Sequence, residues 1–143
     1  MSPPQGLTDA DYQRLAEFRC ALRKFLYFSE QAAAAEDLTP QQYQAMLAIR
    51  GSSSGPPNVS ILADHLCLKH NTVVELIQRL EKSGLIQKTP SPDDGRAVVL
   101  ELTGEGLRRL DRLALSHAVE LKHIGPEILK RLSKISSRET GNT

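Results

Sequence analysis

The sequence lacks the features of secreted and membrane proteins. Its 143 residues include only two cysteines, Cys20 and Cys67, too few for the disulfide framework of a small secreted domain. No apolar run is long enough to cross a bilayer, and residues 1–6 lack the charged start and apolar stretch of a signal peptide. These absences predict a reduced, cytoplasmic protein that has no membrane partner.

Strong charge and catalytic motifs are also missing. Eighteen basic residues against seventeen acidic ones give a net charge of +1, far from the strongly basic profile of many nucleic-acid binders. No glycine-rich phosphate loop, nucleophile elbow or usable acid pair is present, so neither an enzyme nor a cofactor is predicted. Four residues of zinc-ligand types lie close together in sequence: Asp64, His65, Cys67 and His70. Their spacing does not match a known zinc site, so no metal is predicted. The length fits one domain with a single core.

One stretch, residues 69–102, is the most informative part of the chain. A helix is predicted first, because four apolar residues form one stripe: Val73, Leu76, Ile77 and Leu80. Ser83 and Gly84 end this helix, and residues 85–89 then lead into a dense turn signal at 90–95. Residues 96–102 return as a second strand. A helix followed by a two-stranded ribbon with a charged tip is the layout of a winged helix.

Three further helices are predicted upstream. Thr8 or Asp9 can cap a first helix that runs to about residue 35. The sequence TPQQ at 39–42 supplies a cap, a proline at the first helical position and the glutamine of a capping box. Ser60 can cap a short third helix over 60–66. The predicted fold is therefore mainly α with a small two- or three-stranded β wing, and its third and fourth helices form a helix-turn-helix.

The last long helix carries a signal for assembly. A heptad seam is formed by Leu107, Leu110, Ala114, His117, Leu121, Ile124 and Ile128. The first helix has an apolar stripe of its own: Leu15, Phe18, Leu22, Phe25 and Leu26. Pro126 is expected to kink or break the last helix. One thin domain cannot easily bury both stripes, which favours a two-fold homodimer over stripes packed only within the chain.

Five short motifs carry a resemblance to a known family. They are LTPQQY at 38–43, LADHL at 62–66, LEKSGL at 80–85, DGR at 94–96 and LTGEG at 102–106. In order and spacing they resemble the MarR family of bacterial transcription regulators, whose recognition helix ends in Leu-Glu-x-x-Gly-Leu and is followed by Asp-x-Arg and Leu-Thr-x-x-Gly. The likeness covers roughly residues 10–133.

The resemblance implies both an organisation and a function. A single MarR-like domain would span 1–143, with a winged helix-turn-helix lobe at 38–103, dimerisation helices at 8–35 and 105–135, and a flexible tail at 136–143. The function implied is that of a homodimeric repressor, which binds a pseudo-palindromic operator in double-stranded DNA and is released by a small molecule or another signal.

The recognition helix and the wing would supply the DNA contacts. The predicted interface comprises Lys69, His70, Asn71, Thr72, Val74, Glu75, Gln78, Arg79, Lys82, Lys88, Ser91 and Arg96. Asn71 and Gln78 carry amides that can pair with adenine, whereas the basic residues suit phosphates. Asp94 is expected to orient Arg96 through a charge-assisted pair.

Three positions of this interface depart from the family pattern. The position of Val74 is commonly Thr or Ser, and that of Glu75 is commonly basic or polar. Gly95 also replaces an arginine that is common in the wing. Glu75 either accepts from a cytosine amino group or weakens binding, so these changes affect the expected affinity more than the fold.

Several of these residues have plainer structural interpretations. Asn71 could cap the recognition helix instead of contacting a base. Thr72 and Glu75 have the spacing of a capping box. Lys82 and Lys88 could be solvated surface residues.

The signal that such a regulator would sense is weakly specified. Tyr27, Phe28 and Tyr43 are candidates for an effector pocket between the dimer helices and the DNA-binding lobe, although packing is favoured for each. Cys20 lies near basic residues that can lower a thiol pKa, but a structural role is favoured. His117 fits a buried interface histidine better than a sensor, although its burial would make a dimer sensitive to pH. The alternative function is a winged-helix module for protein–protein contact, favoured by the near-neutral charge and Glu75.

Overall fold

The computed structural model describes residues 6–140, with side chains up to residue 135. The elements, in chain order, are α1 Asp9–Ala35, α2 Pro40–Arg50, α3 Val59–Leu66, α4 His70–Lys82, β1 Ile86–Pro90, β2 Val98–Leu102 and α5 Gly104–Thr140. β1 and β2 pair in antiparallel fashion, with Ile86 opposite Leu102. The prediction of a mainly α fold with a β wing is confirmed, and within residues 6–140 the wing has two strands.

The chain divides into two compact units. One is Glu30–Ser116, which contains α2 to α4, the wing and the first part of α5. The other, within the described residues, comprises 6–29 and 117–140. No helix in residues 6–140 combines the length and apolarity that crossing a membrane requires.

Helix starts follow from the capping side chains. The Thr8 hydroxyl accepts a hydrogen bond from the Asp11 N–H at 3.2 Å, which confirms the predicted cap of α1. The predicted capping box of α2 is confirmed, because Thr39 and Gln42 satisfy each other's backbone N–H at 3.1 and 2.9 Å. The predicted Ser60 cap is wrong, since the Asn58 side chain caps α3 by accepting from the Ile61 N–H at 2.8 Å.

The core lies inside the Glu30–Ser116 unit. The apolar stripe predicted for α4 is confirmed, because all four of its residues are buried: Val73, Leu76, Ile77 and Leu80. Their neighbours include Met46 from α2, Leu62 from α3, Leu100 from β2 and Leu110 from α5. Each fully buried aliphatic side chain contributes about 1.5–3 kcal/mol relative to exposure. This burial fixes which face of α4 remains outside.

The second unit consists of α1 as far as Ser29 and α5 from His117 onward. His117 is 5% exposed, lies 2.7 Å through Nε2 from the Ser29 hydroxyl, and meets the ring edges of Phe25 and Phe28. Arg131 pairs with Glu17 at 2.6 Å. These contacts tie together the α1 and α5 segments of this unit.

The expected break at Pro126 is wrong, because α5 continues through it to Thr140. Proline removes one N–H from the helix, and only the carbonyl of residue 122 loses a partner. Lys122 and Pro126 are both accessible to solvent, so water can satisfy that carbonyl. The backbone of 136–140, expected to belong to a flexible tail, is helical; residues 141–143 lie outside the described part.

Candidate nucleic-acid interface

The outer face of α4 is rich in polar side chains. Because the apolar stripe faces the core, the remaining residues point outward. Exposed residues at and along this helix are Lys69, His70, Asn71, Glu75, Gln78, Arg79 and Lys82, and Thr72 and Val74 are half-buried. Residues 69–82 of the predicted interface therefore share one accessible surface.

The start of α4 decides between two interpretations of its first turn. Lys69 occupies the N-cap position and provides no side-chain cap. Asn71 consequently lies inside the helix, so its proposed role as the cap is wrong. Thr72 is the third helical residue, so the capping box proposed for Thr72 and Glu75 is also wrong. The side chains of this turn are not engaged in capping.

The turn before α4 depends on an unusual backbone conformation. Cys67 ends α3 with φ of 56°, in the left-handed region that costs most residues about 1–2 kcal/mol. The Leu68 N–H closes the turn on the Ala63 carbonyl at 3.1 Å. This conformation allows α4 to begin three residues after Cys67 and completes the helix-turn-helix.

The base of the wing is fixed by hydrogen bonds that the sequence patterns did not reveal. The Thr103 hydroxyl donates to the Gly84 carbonyl at 2.5 Å and accepts from the Gly106 N–H at 3.1 Å. The Thr103 N–H donates to the Leu85 carbonyl at 3.0 Å. A side chain at Gly106 would overlap the Leu85 carbonyl oxygen. The motifs at 80–85 and 102–106 thus form one joint between α4, the wing and α5.

The tip of the wing is a hydrogen-bonded turn. Ser91 donates its N–H to the Ala97 carbonyl at 2.9 Å, and its hydroxyl accepts from the Asp93 N–H at 3.3 Å. Asp94 accepts from the backbone N–H of Arg96 at 3.0 Å. The predicted charge-assisted pair is therefore wrong: within residues 6–135 the Arg96 guanidinium forms no ion pair with Asp94. Asp94 shapes the turn, as aspartate side chains often do, and leaves the exposed guanidinium free.

Lys88 lies on β1 beside the end of α4. Its ammonium group is 3.8 Å from a carboxylate oxygen of Glu81, and both side chains are 42% exposed. Such a surface pair stabilises a protein by at most about 1 kcal/mol. Lys88 can therefore exchange this partner for a phosphate, although Glu81 reduces the local positive potential.

The wing is also joined to the connector between α2 and α3, residues 51–58. The Leu100 N–H, in the middle of β2, donates to the Pro57 carbonyl at 2.8 Å. Pro57 directly precedes the Asn58 cap of α3. One connector thus positions both the wing and the first helix of the helix-turn-helix.

A group of ion pairs connects α5 to the segment after α1. The Arg112 guanidinium binds the Glu36 carboxylate through two hydrogen bonds of 2.9 and 3.0 Å. The hydrogen bond from Arg112 holds the pKa of Glu36 below its ordinary value. Arg108 and Arg109 similarly lower the pKa of Glu105. These contacts lie within the Glu30–Ser116 unit.

The proposed effector residues have different surroundings. Tyr43 is a core residue, 5% exposed, and its burial raises the pKa of its hydroxyl, whereas Tyr27 is 63% exposed. Phe28 packs edge-on against His117, with ring centroids 5.5 Å apart. Tyr43 and Phe28 thus have packing roles.

The remaining candidate residues lie as follows. Cys20 and Cys67 are exposed free thiols, and among the described residues no three His, Cys, Asp or Glu side chains are placed to share a metal. On α5, Leu110 and His117 of the heptad seam are buried, and so is Leu113, which lies outside the seam and was missed. Leu107 and Leu121 are 36% and 45% exposed.

Comparisons with known proteins agree with this architecture. A family model described as MarR family matches residues 38–98. The transcriptional repressor NicR of Pseudomonas putida is 30% identical over 95 residues, which are 66% of this chain and 59% of NicR. The chain spans about half the length of the curated relatives it matches.

Two solved structures share the fold. AbsC of Streptomyces coelicolor, a MarR family transcriptional regulator, gives a TM-score of 0.72 at 22% identity and covers 96% of this chain and 99% of its own. A single-residue mutant of MepR from S. aureus, bound to an oligodeoxyribonucleotide, gives 0.64 at 17% identity and covers 96% and 100%. At these identities the likeness shows the fold alone.

Proposed function

Because the chain belongs to the MarR family of winged-helix proteins, we propose that it is a DNA-binding transcription regulator. It would act as a homodimeric repressor on a pseudo-palindromic operator and be released by a small molecule or another signal. The observation that carries the proposal is the outer face of α4, which is polar and uninvolved in capping while the opposite face is buried. The name of NicR, a transcriptional repressor, supports the repressor part of the proposal.

The proposal gives each exposed group a role. α4 would enter the major groove, where the amides of Asn71 and Gln78 can pair with adenine and Glu75 can accept from cytosine. Thr72, Val74 and His70 would contact base edges or the adjacent backbone. Phosphate contacts are assigned to Lys69, Arg79, Lys82 and Lys88, with Arg96 and Ser91 at the wing.

The low net charge of the interface limits the DNA affinity of a single copy of the chain. Residues 69–96 contain five basic and four acidic residues, a net of +1. The Glu81–Lys88 pair uses one of the five cations. Since each neutralised phosphate adds to affinity, two copies on a palindrome would bind far better than one.

The dimer would use the apolar residues of α1 and the distal part of α5. Leu15, Leu22 and Leu121 are 44%, 38% and 45% exposed. Large apolar side chains left exposed on helices commonly mark an interface. The proposed dimer residues are Leu15, Phe18, Leu22, Leu110, Ala114, His117, Leu121, Ile124 and Ile128. Leu110 is already buried in the chain's own core, which makes it the weakest member of this set.

The function is tested by DNA binding to duplexes selected from the source genome. Affinity should fall steeply with salt. A plot of the logarithm of the binding constant against the logarithm of the salt concentration should have a slope of about −1 per phosphate contact. Gln78→Ala should change base preference, whereas Arg96→Ala should weaken binding to all duplexes alike. Lys82→Ala should reduce the salt slope by about one, since it removes one phosphate contact. Lys130→Ala removes an exposed cation from the distal part of α5 and serves as its control, which should leave the salt slope unchanged.

The alternative is a winged helix used for protein–protein contact, favoured by Glu75 on the outer face of α4 and by the low net charge. It predicts no salt-dependent binding to any duplex. Failure to select a palindrome from a randomised pool would favour this alternative and reject the repressor.

A further inference from the structure

A cavity in the Glu30–Ser116 unit lies outside the proposed DNA interface. Its volume is about 820 Å³, within the range of about 300–1,000 Å³ usual for small-molecule sites. α2 contributes Gln44 and Leu47, α3 contributes Ile61, Leu62 and His65, and the connector contributes residues that include Pro57.

The chemistry of the walls defines the class of ligand. No Asp, Glu, Lys or Arg among the described residues lines the cavity, so a charged molecule would lose hydration without gaining an ionic partner. Leu47 and Ile61 are 43% and 54% exposed, which leaves apolar surface for a ligand to cover. The side chains of Gln44 and His65 form no hydrogen bond or ion pair with any other described residue and can bind one polar group.

The connector wall of the cavity is a hydrogen-bonded turn. The Ser52 hydroxyl donates to the Gly55 carbonyl at 2.6 Å, and Gly55 has φ of 89°, a conformation that glycine adopts without steric cost. This ordered turn forms one wall. A preformed cavity reduces the ordering cost of binding.

The cavity is linked to the wing through Pro57. This residue lines the cavity, and its carbonyl accepts the hydrogen bond from the Leu100 N–H of β2. We propose that the cavity binds a small, uncharged, mostly apolar molecule with one hydrogen-bonding group, and that its occupation alters the Pro57–Leu100 contact. Regulation of DNA binding through this contact would rest on the proposed function, but occupation of the cavity does not.

The test uses benzamide and benzoate, which have the same shape and differ in charge. Each is titrated at pH 8 into the full chain, and binding is followed through the amide chemical shifts by NMR. Benzamide should shift amides within 44–66 together with that of Leu100, and benzoate should bind at least about tenfold more weakly. Equal or tighter binding of benzoate, or no benzamide shifts in this region, would overturn the site; an unchanged Leu100 amide would overturn the link.

Two substitutions test whether benzamide binds in the cavity. Leu47→Glu places a carboxylate at an exposed position of the wall and should weaken benzamide by about tenfold. Leu115→Glu makes the same change at a leucine that is 67% exposed and outside the cavity, and it should leave the affinity unchanged. Equal effects of the two would reject the assignment. Shifts at 44–66 that depend on protein concentration without benzamide would show that a second copy covers the cavity, which also overturns it.

Discussion

The two units of the chain differ in whether their large apolar side chains are buried or exposed. Every buried hydrophobic residue among those described, from Ala33 to Leu113, belongs to the Glu30–Ser116 unit. In the other unit His117 is the one buried residue among those whose side chains are described. That unit leaves large apolar side chains exposed, among them Leu26 at 55%, Val119 at 61% and Leu129 at 67%.

This difference bears on what each unit can do by itself. The Glu30–Ser116 unit encloses a core and can hold the outer face of α4 in place. The other unit has little core of its own, so covering its exposed apolar side chains would stabilise its helices further. In the proposed dimer a second copy of the chain would provide that cover, and each copy would bring one α4 helix to one half-site of a palindromic operator.

The largest effect is expected when one large apolar side chain is removed from each unit. Leu80→Ala leaves a cavity at a fully buried site and should reduce the free energy of unfolding by about 2–5 kcal/mol. Leu26→Ala should change it by less than about 0.5 kcal/mol. Both are measured by urea unfolding at a concentration too low for association; equal losses would show that the two units do not differ in this way.

A smaller effect is expected at the joint below the wing. In Gly106→Ala the added methyl group would overlap the Leu85 carbonyl and should cost about 1–3 kcal/mol. Gly104→Ala is the matched control, because its nearest neighbour is the flexible end of Arg108 at 3.6 Å; stability there should be unchanged or slightly higher. If calorimetry finds Gly106→Ala as stable as the parent, the close approach of α5 to Leu85 does not exist.

Much of the fold could be predicted because local chemistry determines it. Thr39 at the N-cap and Gln42 at the third helical position have the spacing of a capping box, and the spacing of the α4 stripe requires one buried face. The Asn58 cap was missed because Asn58 and Ser60 are both good cap residues, and only the extended backbone at Asn58 selects between them. The alternative in which Asn71 caps α4 fails for a similar reason, since Lys69 takes the cap position without using its side chain.

Contacts distant in sequence were harder to predict. The Thr103 hydroxyl reaches Gly84, 19 residues away, and no local pattern encodes that distance. Leu113 lies outside the heptad seam, yet it is buried because the core of its own unit covers it. The DNA contacts themselves remain predictions, because exposure places a side chain within reach of a base without showing that it binds one.

Dimerisation through the unit of residues 6–29 and 117–140 can be tested by a substitution on its apolar surface. Leu121→Lys should weaken dimerisation by about tenfold or more, because a cation would enter an apolar interface. Leu47→Lys is a control of similar exposure, 43% against 45%, located in the other unit, and it should leave the dimer intact. Sedimentation velocity across a concentration series measures both; a parent chain that stays monomeric throughout would remove the dimer from the proposed function.

The smallest effect concerns the acid stability of the Glu30–Ser116 unit. Arg112 holds the pKa of Glu36 below its ordinary value of 4.5. A carboxylate whose pKa is lowered by folding stabilises the folded state above the ordinary value, and this contribution is lost as the pH falls through the lower, folded pKa. Glu36→Gln should therefore be slightly less stable than the parent near neutral pH, and the two should converge in acid. Urea unfolding at several pH values measures the difference, with the exposed Glu75→Gln as the control; a gap that persists unchanged in strong acid would show that Glu36 acts through its shape instead of its charge.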